Sequence, residues 1–117
     1  MNIVLIGYRG TGKSAVGALL SRYLGRPLIE TDLEIAKAAG KSIRAIFQDD
    51  GEAAFRERER LAVAAAAAHD GVIISTGGGA IVDPANATCL TADGFVVLLQ
   101  AAPETLLGRI RNDSNRP

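Results

Sequence analysis

The 117-residue chain has no tryptophan, and its aromatic side chains are two tyrosines and three phenylalanines. Its apolar residues are therefore mostly aliphatic. A single cysteine, Cys89, excludes an internal disulfide and suits a reducing compartment. No histidine lies near Cys89 in sequence, so it reads as a small packing residue and not as a nucleophile. Charge of one sign is also missing: 13 basic and 13 acidic residues give a net charge of +0. There is no positive surplus to draw the chain to nucleic acid or to an anionic membrane. No apolar run approaches the roughly 20 residues of a membrane-spanning helix. The N-terminus shows no basic region, long apolar stretch or small-residue cleavage site of a secretory leader.

What is present is an alanine-rich globular mixture, 48% hydrophobic and 22% charged, of a size that fits one domain. The run "NIVLIG" predicts a strand buried on both faces. "GKSAVGALLSRYLG" predicts a helix with Val16, Leu19, Leu20, Tyr23 and Leu24 on one side, ending near Gly25. "RPLIET" predicts a second strand, with Thr31 or Asp32 capping the helix "DLEIAKAAG". Ser42 is placed to cap "IRAIFQDD", and Gly51 separates that helix from a long one over "EAAFRERERLAVAAAAAHD". His69 falls near the end of the latter, where it can interact with the helix dipole. "GVIIST" and "DGFVVLLQ" predict two more strands, and Pro103 opens a last helix, "ETLLGRIRN". Strand and helix alternate, which implies an α/β fold with a parallel sheet covered on both faces. In such sheets function gathers at the carboxyl ends of strands.

One segment explains itself by that rule. Gly7-Tyr8-Arg9-Gly10-Thr11-Gly12-Lys13-Ser14 fits G-x-x-x-x-G-K-[ST], between a predicted strand and a predicted helix. Glycines let the backbone wrap a phosphate and aim N–H groups at it. The helix N-terminus adds partial positive charge. Lys13 supplies a point charge for the outer phosphates, and the Ser14 hydroxyl suits Mg²⁺.

Three further stretches narrow the acceptor. "ETDLEI" sets Glu30 and Asp32 two residues apart after a strand, a spacing that in extended chain puts both side chains on one side. "FQDDGEAAFRERE" holds Phe47, Gly51, Glu52, Phe55, Arg56 and Glu59, and on a helix Glu59 can orient the Arg56 guanidinium at i,i+3. "STGGGAI" carries Gly77, Gly78 and Gly79. Taken singly, each has a plainer reading: Asp32 as a cap, Arg56 as part of an exposed charge lattice, the glycines as a turn. Together, in this order, they resemble the shikimate kinase family, whose members carry a P-loop, D-x-D, F-x-x-x-G-E-x-x-F-R-x-x-E and a triple glycine. The tail "RIRNDSNRP" resembles the start of that family's lid.

The resemblance implies a P-loop NTPase three-layer sandwich, nucleoside monophosphate kinase-like. Residues 1–117 would form a single kinase domain, with the core over 1–111 and the lid beginning at 112–117. It implies ATP and Mg²⁺, and phosphorylation of the 3-hydroxyl of shikimate, a step toward chorismate and the aromatic amino acids. Lys13, Asp32 and Arg116 would be catalytic. Gly10, Thr11, Gly12, Lys13, Ser14, Ala15, Arg109 and Arg116 would meet the nucleotide. Asp32, Arg56, Gly78 and Gly79 would meet shikimate. Ser14 would hold the metal, with Glu30 acting through water; the family usually has Asp at the latter position. The resemblance further implies a cytoplasmic enzyme, monomeric when complete, with neither nucleic acid nor membrane as partner. Family members run on by roughly another third, so a second carboxylate-binding arginine, the adenine loop, an edge strand and a last helix are not in this sequence. The expectation is a fragment of a longer kinase, with "FVVLLQ" left as an open sheet edge. Two alternatives stand beside this reading: another small-molecule P-loop kinase such as a gluconate kinase, and a non-catalytic nucleotide-binding module.

Overall fold

The computed structural model describes residues 1–7 and 13–99. The chain runs β1 (Asn2–Gly7), α1 (Lys13–Leu24), β2 (Leu28–Glu30), α2 (Thr31–Ala39), α3 (Ile43–Asp50), α4 (Glu52–Ala67) and β3 (Ile73–Ser75). A 3-10 turn (Ala80–Val82), α5 (Pro84–Ala92) and β4 (Gly94–Leu99) follow. The four strands form one parallel sheet in the order β2-β3-β1-β4. Ser75 is level with Leu5 on one side and with Glu30 on the other. The carboxyl ends of three strands therefore open onto a common edge.

Side-chain alternation gives the sheet two apolar faces. On one, Val4 and Ile74 pack with Val63 and Ala66 of α4 and Leu90 of α5, flanked by Ile6, Ile29, Ile81 and Val96. Burying each large side chain there contributes about 1.5–3 kcal/mol. The alanine-rich α4 is thus a closely packed helix, as its sequence suggests. On the other face α1 touches the sheet through Gly17. A Cβ at that position would lie 3.0 Å from Leu28 Cδ1 and 3.4 Å from Leu5 Cδ1. Close approach at Gly17 turns α1 so that the stripe Val16, Leu19, Leu20, Tyr23, Leu24 does not face the sheet as a unit. Leu19 and Tyr23 are 65% and 88% exposed.

A second core, made of Ile35, Ile46 and Phe55, joins α2, α3 and α4. The Phe47 and Phe55 rings meet with centroids 4.5 Å apart. Gly51 makes the α3–α4 corner with φ 88°, a backbone region that favours glycine, while its N–H bonds to Ile46 O and Phe47 O. The two phenylalanines and the glycine of "F…GE..FR..E" are therefore the joint that aims α4.

Four local readings are corrected. The residue before α2 is Glu30, in extended conformation and without a side-chain cap bond, so neither Thr31 nor Asp32 caps the helix. Because Thr31 already opens α2, strand alternation does not relate Glu30 to Asp32. Thr31 is buried instead, its hydroxyl donating to Ser75 O at 3.4 Å. Between β3 and β4 stands α5, which the apolar pattern does not announce. Asp83 caps it by accepting from Ala85 N at 2.9 Å, and Pro84 begins it. Its inward side holds Asn86 and Leu90, which leaves Cys89 exposed and not packed. Ser42 does cap α3, accepting from Ala45 N at 3.1 Å.

β4 lies at the edge of the sheet and pairs with β1 alone among the described residues, with Phe95 60% exposed. The helix expected from Pro103 and the segment 112–117 lie outside the described residues. Among the described residues no helix is long and apolar enough to cross a membrane.

Candidate active site

The common edge of the sheet collects most of the residues singled out by motif. β1 ends at Gly7, whose φ of 151° favours glycine. Lys13 opens α1, and its Nζ donates to Gly7 O at 2.6 Å, tying together the two ends of the glycine-rich segment. Ser14 and Ala15 follow in the first turn of α1 and are exposed, as a ligand at this helix end requires. No acidic residue occupies that turn, so the positive end of the helix is not neutralised from within. Gly10, Thr11, Gly12, Arg109 and Arg116 lie outside the described residues.

Asp32 stands exposed in the first turn of α2, held in place by its buried neighbour Thr31. Its carboxylate rests against Gly77. A Cβ there would come 2.8 Å from Asp32 Oδ1 and 3.2 Å from Oδ2. Burial lowers the Lys13 pKa from the ordinary lysine value, and the Asp32 charge opposes that shift. Lys13 and Asp32 thus share one electrostatic neighbourhood. Glu30 sits half-buried at the end of β2.

Arg56 lies on α4 with its guanidinium over the Phe55 ring, 5.3 Å from the centroid. Its Nη1 donates to Glu59 Oε1 at 3.0 Å, and Nε lies 3.7 Å from Glu52 Oε1. The Arg56 side chain is 32% exposed, whereas that of Glu59 is 2% exposed. The buried carboxylate therefore fixes a guanidinium whose outer side is open. Gly79 lets that guanidinium approach the turn, since a Cβ there would be 3.1 Å from both Nη1 and Nη2. An open cleft of 440 Å³ lies against these groups, lined by Glu52, Arg56, Arg60, Gly79, Val82, Asp83 and Pro84. The triple glycine is thus more than a turn. Gly77 makes room for Asp32 and Gly79 for Arg56, while the backbone of exposed Gly78 lies between them.

Gly77 belongs with the site residues for this reason, though motif reading ranks Gly78 and Gly79 above it. Asn86 and Asp83 are also missed by motif. Asn86 is 1% exposed, and its Nδ2 donates to Ala80 O at 3.1 Å and to Glu59 Oε1 at 3.5 Å. Asp83 accepts from Arg60 Nε at 2.6 Å, a second tie between α4 and the turn. The signal that could have found them is "DP" beginning a helix just after the glycines.

Burial pushes the Glu59 carboxyl above its usual value of 4.5, with the Arg56 guanidinium opposing and the Asp32 charge adding. Between the ordinary value and the raised one, the folded state holds a proton that the unfolded chain releases. That contribution to stability is complete below the ordinary glutamic acid value and is lost as pH rises through the folded one. The melting temperature of the wild type minus that of Glu59→Gln is expected to fall as pH is raised across this window. A constant difference would contradict the assignment.

A family model described as shikimate kinase matches residues 9–117. The chain belongs to the shikimate kinase family. It is 46% identical over 116 residues to the shikimate kinase of Desulforudis audaxviator, covering 99% of this chain and 61% of that one. It is 50% identical over 111 residues to that of Symbiobacterium thermophilum, covering 95% and 64%. Among solved structures, shikimate kinase from Acinetobacter baumannii in complex with shikimate superposes with a TM-score of 0.83 at 39% identity. That match covers 99% of this chain and 65% of the other. The shikimate kinase of Aquifex aeolicus gives 0.82 at 38%, covering 92% and 64%. The P-loop NTPase fold expected of the family is therefore the fold observed. A gluconokinase from Sinorhizobium meliloti, 20% identical with a TM-score of 0.53, covers 98% of this chain and 66% of that one and shares the fold alone. The chain spans 61% and 64% of the length of the two curated family relatives named.

Proposed function

We propose that the protein transfers the γ-phosphoryl group of ATP to the 3-hydroxyl of shikimate, giving shikimate 3-phosphate and ADP on the route to chorismate. The observation that carries this reading is the Arg56 guanidinium, fixed from behind by buried Glu59 and open in front, beside the turn that also receives Asp32. A planar, pre-oriented fork suits a small carboxylic acid. Asp32 accepts from the acid's hydroxyls and takes the proton of the attacking one. Backbone N–H groups of Gly78 and Gly79 approach the ring. Lys13, Ser14 and Ala15 at the head of α1, with Gly10, Thr11 and Gly12 before them, receive the phosphates. Arg109 belongs near the nucleotide and Arg116 over the transferring group.

A magnesium ion fits the donors present. The exposed Ser14 hydroxyl is a hard oxygen ligand, and Glu30 is a carboxylate at the end of β2. The described residues hold no group of three or more His, Cys, Asp or Glu that would bind a metal unaided. That suits an ion bound by one or two protein oxygens together with water and substrate phosphates. When bound it supplies neutralisation of phosphate charge. The phosphoryl transition state is loose, so positioning and charge outweigh base strength. The reaction belongs to a monomer and to the cytoplasm, the latter in keeping with the single cysteine.

An ADP-release assay on the complete protein with shikimate, gluconate or no acceptor tests the proposal. Turnover should depend on shikimate. Turnover with gluconate alone would favour the related sugar-acid kinase, and none with either acceptor would favour a nucleotide-binding module. Gly77→Ala supplies a finer test. The three atoms nearest the added methyl all belong to the Asp32 carboxylate, so the fold should survive while the base is displaced. We expect kcat to fall by up to about 10²-fold, the lower end of general-base contributions, with the melting temperature little changed.

A further inference from the structure

We infer that Asn86 is a positioning residue for acid recognition, coupling the carboxylate that holds Arg56 to the glycine turn that Arg56 touches. This rests on the shikimate reading above. Asn86 lies on α5, is not among the residues that line the cleft, and is 1% exposed. Its Nδ2 reaches two acceptors from different elements: Ala80 O at 3.1 Å, next to Gly79, and Glu59 Oε1 at 3.5 Å.

The oxygen that takes the longer of these bonds is the one that takes the Arg56 Nη1 bond at 3.0 Å. Glu59 thus has a charged donor in front and a neutral one behind. When an incoming carboxylate draws on the guanidinium, the neutral donor stays. A buried carboxylate left with less than its full set of donors is costly, so the rear amide keeps Glu59 ionised and Arg56 attached while the front face is shared. Ala80 O also accepts from Asp83 N at 3.3 Å. The amide therefore clamps the turn from inside as the Arg60–Asp83 pair clamps it from outside. A chain of short contacts results: Gly79 backbone, Arg56, Glu59, Asn86, Ala80 and back to Gly79. Fixing Arg56 against Gly79 sets the distance between the two partners of the acid. None of these atoms need touch the nucleotide.

Asn86→Asp keeps the shape, but it turns the donor into an acceptor and sets a negative charge behind Glu59. In the complete protein it should raise the KM for shikimate about tenfold, the cost of a buried bond lost against charge. The KM for ATP should stay within about twofold. A residue serving the fold alone would instead lower the melting temperature and leave both KM values together. Asn86→Ser, smaller and uncharged, should show the same split to a lesser degree. If neither variant folds, the wild type decides by the side-chain amide signals of Asn86 in ¹⁵N spectra. They should move on addition of shikimate and stay unmoved with ADP. Equal changes in both KM values, or amide signals indifferent to shikimate, would overturn the inference. If the wild type itself does not turn over shikimate and does not bind it, the underlying function fails instead, and the two failures are distinguishable.

Discussion

Replacing Lys13 with methionine is expected to lower kcat/KM for phosphoryl transfer by about 10²- to 10³-fold, the usual cost of removing one preorganised charge from a transition state. Lys13 stands where α1 leaves the sheet edge, its ammonium donating to Gly7 O at 2.6 Å. That bond ties the charge to the end of β1 beside the head of α1. Burial already lowers its pKa, so the ammonium is partly stripped of water and acts more strongly on a nearby anion. Methionine retains most of the stem, and the site is at the head of α1 rather than in either apolar core, so the melting temperature should change little. The loss should fall on kcat and on nucleotide affinity. A variant that kept kcat would show that Lys13 is a structural tie between strand and helix and nothing more. Asp32 gives a useful contrast. Positioning outweighs base strength in a loose transition state, so Asp32→Asn should cost less than Lys13→Met.

For Arg56→Ala the expected result is a rise of about a hundredfold or more in the KM for shikimate, equivalent to about 3 kcal/mol for a lost charge-assisted pair. A smaller effect is expected on the KM for ATP. Stability should fall as well. Glu59 is 1% exposed and its ion-pair partner would be gone; breaking such a pair by removing one member costs about 3–5 kcal/mol. The remedy separates the two roles. Arg56→Ala combined with Glu59→Gln should recover much of the melting temperature and none of the acid affinity. If the double variant regained both, Arg56 would be a strut and not a ligand. Arg56→Lys should retain part of the stability but lose much of the affinity, because a point charge cannot match a carboxylate in the way a planar fork does.

How far these residues could be read without coordinates depends on what each signal records. The strand "NIVLIG" and the helix from Lys13 are local patterns with local causes, and both appear where expected. Arg56 and Glu59 were legible as a helical i,i+3 pair, and the pair forms. Which of the two is buried was not legible, because that depends on α5 packing behind α4. α5 carries little signal of its own: "PANATCLTA" has small residues, no clear apolar stripe, and the buried polar Asn86 on its inner side. The N-cap of α2 is hidden from the sequence for a related reason. Thr31 looks like a cap, but its hydroxyl is used on Ser75 of the neighbouring strand. The face that α1 turns to the sheet is set by close approach at Gly17 and not by its larger apolar residues, so apolar size is a poor guide there. In each case the deciding partner is distant in sequence.

A crystal structure of the complete protein grown with ADP and shikimate tests the central idea most directly. The shared sheet edge should hold phosphate oxygens at the head of α1, over Lys13, and the acid's carboxylate should lie flat on the Arg56 guanidinium beside Gly79. Shikimate seated elsewhere, or turned so that its carboxylate faces away from Arg56, would contradict the account.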